Sequence, residues 1–181
     1  MARSWNFLFA GFGGQGVLFA GKVAVYTGML ENREVSWLPS YGPEMRGGTA
    51  NCSVCLSDTM IGSPIVLHPD ALVAMNAPSY DKFIATVVPG GLCVMDSSLV
   101  LHSAQRTDIT ELQIPATRLA KENGIASLAN LVMLGALYQA TGFTNQESLE
   151  GAIRKVVPAG KEQLVAENLK ALSLGATYKP E

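Results

Sequence analysis

Charged residues are scarce in this sequence of 181 residues. Asp, Glu, Lys and Arg make up 15% of it, whereas roughly a quarter is usual in soluble domains. The charges almost cancel, with a formal net charge of −2, and no basic block occurs, which argues against binding to nucleic acid. The low charge fraction predicts that part of the surface is buried against partner chains. A small, well-packed enzyme with an ordinary surface is the alternative.

Long apolar runs are also absent. None of the hydrophobic stretches reaches the ~20 residues that a membrane-spanning helix needs, so we expect no membrane association. Residues 1–4 lead directly into a predicted strand, without the apolar core of a signal peptide. We therefore expect a cytoplasmic protein.

Cysteine is rare, which limits metal and redox chemistry. The chain has Cys52, Cys55 and Cys93, an odd number with wide spacing that disfavours a disulfide framework. Cys52 and Cys55 fit a C-x-x-C motif, but they lie in a predicted strand, where residues three apart point to opposite faces. We predict small core residues there rather than a redox pair, and no metal site.

Predicted strands alternate with predicted helices over the first two thirds of the chain. Strands are expected at residues 5–10, 35–38, 49–56, 71–75, 92–95 and 109–114, and helices at residues 15–30, 78–87 and 115–122. Residues 58–62 predict a turn and a short returning strand, hence a mixed sheet. The chain from residue 128 onward is predicted to be helical. We expect an α/β fold with three α/β/α layers, a mixed, mostly parallel sheet and a helical C-terminal part, formed by a single domain over residues 1–181.

A glycine-rich segment between the first predicted strand and helix is the most informative motif. Its residues are Gly11, Phe12, Gly13, Gly14, Gln15 and Gly16. Such a turn lets a ligand approach bare backbone, and the following helix N-terminus favours an anion such as phosphate. The spacing fits the dinucleotide fingerprint G-x-G-x-x-G, but no acidic residue follows the second strand to hold a ribose. A tight structural turn without a ligand is the alternative.

The second motif lies between the second and third predicted strands. It comprises Tyr41, Gly42, Pro43, Glu44, Met45, Arg46, Gly47 and Gly48. Arg46 can bind a carboxylate or phosphate through two parallel hydrogen bonds, and Tyr41 can stack on a ring or anchor an interface. A surface ion pair between Arg46 and Glu44, of little energetic value, is the alternative.

The remaining polar candidates are weaker. Asp70 and Asp96 follow or precede predicted strands, where turn and cap residues are common. Asn76 and Asn130 are able to hydrogen-bond loop backbone. No nucleophile and base are found together, so we predict no catalytic residue in this chain. A chain suited to binding but without its own chemistry is typical of one subunit of a larger enzyme.

Together these motifs resemble the gamma subunit of 2-oxoacid:ferredoxin oxidoreductases, of the 2-oxoglutarate or ketoisovalerate type. The resemblance is carried by GFGGQGV at residues 11–17 and SYGPEMRGGTANCSV at residues 40–54. It continues through DALVAMN at residues 70–76 and NLVMLGAL at residues 130–137. The combination of the two glycine motifs is specific, whereas G-x-G-x-x-G alone is not.

The resemblance implies a role within a complex. That family decarboxylates a 2-oxoacid oxidatively on thiamine diphosphate, passes electrons through iron–sulfur clusters to ferredoxin, and transfers the acyl group to coenzyme A. Thiamine-binding alpha and beta subunits and a ferredoxin-like delta subunit would hold those cofactors, and this chain alone would hold none. The resemblance implies that the gamma chain helps to form the coenzyme A site or an interface.

The same resemblance assigns roles to single residues. Gly11, Gly13, Gly14, Gln15 and Gly16 would line this site, as would Gly47 and Gly48. Arg46 would face a phosphate or an acidic partner group, with Tyr41 and Glu44 ordering its loop. Two other hypotheses stay open: a free-standing Rossmann-like nucleotide-binding protein or NAD(P)-dependent reductase, and a thiol redox module using Cys52 and Cys55.

Overall fold

A computed structural model describes residues 3–40 and 49–179 of the chain. The strands in these residues are β1 (Ser4–Phe12), β2 (Glu34–Ser40), β3 (Thr49–Ser57), β4 (Ala71–Ala74), β5 (Leu92–Asp96) and β6 (Thr110–Ile114). The α-helices are α1 (Val17–Leu30), α2 (Ala77–Phe83), α3 (Ala116–Glu122), α4 (Ala129–Thr141), α5 (Gln146–Val156) and α6 (Gln163–Ala176). The predicted alternation of strands and helices and the helical C-terminal part are confirmed.

All of the described strands form one sheet in the order β2-β3-β1-β4-β5-β6. β4 is parallel to β1, and β5 and β6 continue in that direction. β3 runs antiparallel to both of its neighbours, β1 and β2. Since β3 alone is reversed, the prediction of a mixed, mostly parallel sheet is confirmed.

The predicted returning strand at residues 58–62 is wrong, because these residues form no strand and belong to an irregular segment that continues to Asp70. Gly62 lies within these residues and Pro64 follows soon after, and both disfavour a strand. Asp58 instead accepts a hydrogen bond from the backbone N–H of Arg3 at 2.8 Å. The antiparallel pairing comes instead from β3, which pairs with both β1 and β2.

One face of the sheet carries the larger core. Alternate side chains of β1 and β3, such as Phe7, Phe9, Val54 and Leu56, are fully or almost fully buried there beneath the helices of that side. Residues 129–137 of α4 are all buried, as is typical of a helix that is apolar on nearly every side.

The C-terminal helix packs on α4 through two glycines. A Cβ placed on Gly135 would lie 2.1 Å from the Leu172 carbonyl oxygen, and one on Gly175 only 1.8 Å from that of Val132. The two backbones approach this closely because neither position has a side chain.

α1 and α6, with 14 residues each, are the longest helices that the structure describes. Within residues 3–40 and 49–179, none of the helices is long and apolar enough to cross a bilayer.

The opposite face of the sheet has a smaller core, formed with α2. Leu8, Leu72, Met95 and Tyr80 are buried in it. The helices therefore lie on both faces, and the prediction of three α/β/α layers is confirmed, with most of the helices on one side.

Candidate functional site

The glycine motif forms the turn between β1 and α1, as predicted. Gly14 has a φ of 93° and Gly16 a φ of 75°. Residues that carry a Cβ rarely adopt these backbone conformations. Gly16 is the N-cap of α1. Among the described residues, no side chain accepts a hydrogen bond at this cap, and no acidic residue lies in the first turn of the helix. The first-turn amides of α1 and the positive end of its dipole are thus available to a ligand.

A cavity of about 270 Å³ lies at this turn. Its walls include the backbone of Gly13, Gly14 and Gly16 and the apolar side chains of Leu18 and Phe19. A ligand there would meet mainly apolar surface, together with a small area of backbone. None of the described residues that line the cavity is charged, so a cationic contact to a phosphate would have to come from elsewhere.

Gly11 and Gln15 hold the shape of the turn rather than lining this cavity. Gly11 is buried, and a Cβ on it would lie 2.7 Å from Val17 Cγ2. Gln15 Oε1 accepts hydrogen bonds from Phe12 N at 2.6 Å and from Asn76 Nδ2 at 2.9 Å. Gln15 Nε2 donates to the Met75 carbonyl at 3.0 Å, so the side chain joins the end of β1 to the end of β4.

Two asparagines outside the motif contact the turn. Asn130 Nδ2, at the start of α4, donates to the Gly16 carbonyl at 2.9 Å, which confirms that it bonds loop backbone. Asn76 instead bonds the side chain of Gln15, and its Oδ1 caps α2 by accepting from Ser79 N at 2.9 Å. In the sequence, both asparagines could be singled out because each is a polar residue next to an apolar run.

The second motif lies outside the described residues, so the roles of Tyr41, Glu44, Arg46, Gly47 and Gly48 stay predictions. The strands that flank it show where it is attached. β2 ends at Ser40, and β3 begins at Thr49, which pairs with Phe12 at the end of β1. The two motifs therefore start from the same edge of the sheet, at the carboxyl end of β1.

Asp70 and Asp96 serve the fold. Asp70 accepts from Asn6 N at 2.7 Å. Asp96 is fully buried and accepts from the Thr117 hydroxyl at 2.5 Å and from Ser98 N at 3.0 Å. The interpretation as a turn and cap residue is confirmed for Asp96, whereas Asp70 instead bonds across to Asn6 of β1.

The cysteines are buried thiols on different parts of the sheet. Cys52 packs in the larger core, with its Sγ 3.8 Å from the Val17 carbonyl oxygen, whereas Cys55 Sγ lies 3.8 Å from that of Ser63. Burial raises the pKa of the Cys52 thiol to about 12. Burial and the charge of Asp70 raise the pKa of Cys55. Both findings disfavour a thiol redox module, which needs a lowered pKa.

An iron–sulfur cluster does not fit the residues that the structure describes. Within residues 3–40 and 49–179, no three side chains of His, Cys, Asp or Glu come together as metal ligands.

The family model of the pyruvate ferredoxin/flavodoxin oxidoreductases matches residues 6–178, nearly the whole chain. The chain belongs to this family. The ketoisovalerate oxidoreductase subunit VorA of Methanothermobacter thermautotrophicus is 43% identical over 174 residues, which are 95% of this chain but 36% of VorA. The chain thus spans about a third of the length of the VorA relatives that it matches.

Two other members of the oxidoreductase family correspond to this chain over most of their length. The 2-oxoglutarate synthase subunit KorC of Methanocaldococcus jannaschii is 40% identical over 169 residues, which are 92% of this chain and 89% of KorC. The gamma subunit of a keto/oxoacid ferredoxin oxidoreductase from Geobacter sulfurreducens is 32% identical, with a TM-score of 0.81 over 94% of this chain and 95% of that structure. These matches support the oxidoreductase interpretation and give no support to a free-standing nucleotide-binding protein.

Proposed function

We propose that this chain is the gamma subunit of a multi-subunit 2-oxoacid:ferredoxin oxidoreductase, and that residues 1–181 form one gamma-type domain. Such an enzyme converts a 2-oxoacid and coenzyme A to acyl-CoA and carbon dioxide, and reduces ferredoxin. The observation that carries the proposal is the correspondence with KorC and with the gamma subunit from Geobacter sulfurreducens over about nine tenths of their length or more. No catalytic residue is assigned to this chain.

The chain contributes to assembly and to the coenzyme A site in this proposal. The amides at the start of α1 and the backbone of the glycine turn would receive an anionic group, since a helix N-terminus favours negative charge. The described residues that line the cavity supply no cation, so Arg46 would provide the positive charge. Its segment is joined to β3 beside the turn, because Thr49 pairs with Phe12.

The other components belong to partner chains. Thiamine-binding alpha and beta subunits and a ferredoxin-like delta subunit would supply decarboxylation on thiamine diphosphate and electron transfer through iron–sulfur clusters, with ferredoxin as the acceptor. The complex would be cytoplasmic.

An uncharged surface segment supports a buried position in such a complex. Residues 59–67 carry no Asp, Glu, Lys or Arg. Met60 is 90% exposed, Leu67 69% and Ile65 57%. Apolar side chains grouped on a surface in this way are typical of protein interfaces.

A substitution of Arg46 tests the proposed coenzyme A contact. In the anaerobically purified complex, Arg46→Ala should raise the KM for coenzyme A about tenfold, because a charge-assisted hydrogen bond is worth about 1.5–3 kcal/mol. The kcat at saturating coenzyme A should stay near that of the unchanged complex. Arg118→Ala is the matched control, since the Arg118 side chain is exposed on α3 and, among the described residues, its one ion-pair contact is to Glu122 at 4.0 Å. Equal KM values for both variants and the unchanged complex would refute the contact.

A further inference from the structure

Asn130 is a buried polar residue in an otherwise apolar stretch of helix. It is 3% exposed, and the other residues between 129 and 137 carry no polar side chain. Its Nδ2 donates to the Gly16 carbonyl at 2.9 Å. Its Oδ1 has no hydrogen-bond partner among the residues that the structure describes.

The contact between Asn130 and Gly16 requires glycine. A Cβ on Gly16 would lie only 2.5 Å from Asn130 Nδ2. The same Gly16 carbonyl also accepts from Ala20 N at 3.0 Å, which is the first hydrogen bond of α1. Asn130 therefore holds the oxygen atom at which α1 begins.

Folding stability alone does not account for an asparagine at this position. A buried amide with one atom unpaired is unfavourable compared with an apolar side chain of similar size, such as leucine. What asparagine offers and leucine lacks is a donor directed at one carbonyl. That donor fixes the orientation of the peptide group at the left-handed residue Gly16.

We propose that Asn130 is a positioning residue for the glycine turn. By holding the Gly16 carbonyl from the start of α4, it keeps the first-turn amides of α1 in one orientation toward the cavity. The benefit of that orientation to coenzyme A rests on the proposed function, whereas the effect on the turn itself does not.

Gln15 also holds the glycine turn in place. The structural change on losing the Asn130 side chain should therefore be confined to the start of α1. Gln15 is fixed by Phe12 N, Asn76 Nδ2 and the Met75 carbonyl at 2.6–3.0 Å. Without Asn130 the turn stays attached at Gln15, while the beginning of α1 is free to open. We therefore expect local opening rather than unfolding.

The test compares Asn130→Leu with Asn168→Leu in the full chain. Asn168 is a matched control because it is 4% exposed, donates its Nδ2 to a backbone carbonyl within α6, and has an unpartnered Oδ1 in the described structure. Amide hydrogen exchange at Ala20 reports opening at the start of α1, and exchange at Val73 in the central strand β4 reports global opening.

Asn130→Leu should speed exchange at Ala20 relative to Val73 about fivefold, the factor that one lost hydrogen bond is worth. Asn168→Leu should leave that ratio unchanged. An unchanged ratio in Asn130→Leu, or an equal rise in both variants, would overturn the proposal.

Kinetics in the assembled complex separate this proposal from the proposed function. Asn130→Leu should raise the KM for coenzyme A with little change in kcat, and Asn168→Leu should change neither. Faster Ala20 exchange with an unchanged KM would support the positioning role and refute the proposed coenzyme A contact at the turn. An unchanged Ala20 ratio would overturn the positioning role whatever the kinetics.

Discussion

The two faces of the sheet differ in what covers them. On one face, α4 is buried along residues 129–137 and the side chains of β1 and β3 are closed off from solvent. On the other face, α2 forms the smaller core, and the irregular segment after β3 exposes apolar side chains such as Met60 and Leu67. Most of the first face is covered by helices of this chain, although Met29 and Leu30 of α1 are partly exposed, whereas the segment on the second face exposes Met60 and Leu67 to a greater degree.

This difference separates residues that maintain the fold from residues that would contact other chains. Substitutions in the buried core of the first face should act on the chain itself. Substitutions on the second should act mainly on the complex, where partner chains would cover the exposed apolar side chains. The following three experiments compare the faces, in order of decreasing effect.

The largest effect is expected where α4 and α6 cross. Gly175→Ala should lower the free energy of unfolding by about 3 kcal/mol, because its Cβ would overlap the Val132 carbonyl and force the helices apart. Thermal or denaturant unfolding of the chain measures the loss. The control is Gly151→Ala in α5, whose Cβ would meet, among the described residues, only the end of the flexible Leu30 side chain at 3.0 Å. This control should be neutral or gain up to about 1 kcal/mol from helix propensity. Equal stability of the two variants would contradict the described packing.

A double substitution on the second face should affect assembly instead. Met60→Ser with Leu67→Ser should change the stability of the chain by less than about 0.5 kcal/mol, as is usual for exposed positions. It should weaken binding to the partner chains about tenfold or more, since burying one such side chain contributes about 1.5–3 kcal/mol. Unfolding curves of the chain and titration of the partner chains measure the two effects. A complex of unchanged affinity would show that this surface faces solvent.

We expect the smallest difference in the rates at which the thiols of Cys52 and Cys55 are labelled. Cys52 is fully buried in the larger core, and burial raises its pKa to about 12. Cys55 is 3% exposed beside the irregular segment. Since only the thiolate reacts, we expect slow alkylation at neutral pH, faster alkylation as the pH rises, and faster reaction at Cys55 than at Cys52. A time course of alkylation followed by peptide mass spectrometry measures the order, and faster labelling of Cys52 would be inconsistent with the described packing.

Much of this architecture could be predicted from the sequence because local patterns determine it. The apolar runs predicted the strands of the sheet, and the glycine motif predicted the turn before α1. The predicted strand at residues 58–62 was wrong, because two apolar residues beside a turn give no information about what lies next to them in space.

The division of roles within the glycine motif could not be predicted. Gly13 and Gly14 line the cavity, while Gly11 is buried beside Val17 and Gln15 bonds to the end of β4. These roles depend on contacts between residues distant in sequence. The choice of α2 for one face and α4 for the other depends on long-range packing in the same way, and periodicity along one chain does not encode it.

The most direct test of the gamma-subunit proposal is activity in a defined assembly. The tagged chain is purified anaerobically from its native source, and both the material that accompanies it and the chain alone are assayed for ferredoxin reduction that depends on a 2-oxoacid and coenzyme A. We predict co-purification with thiamine-binding and ferredoxin-like chains, activity in the assembly, and none in the chain alone. A chain that purifies alone under these conditions, or an assembly that keeps full activity after this chain has been removed, would contradict the proposal.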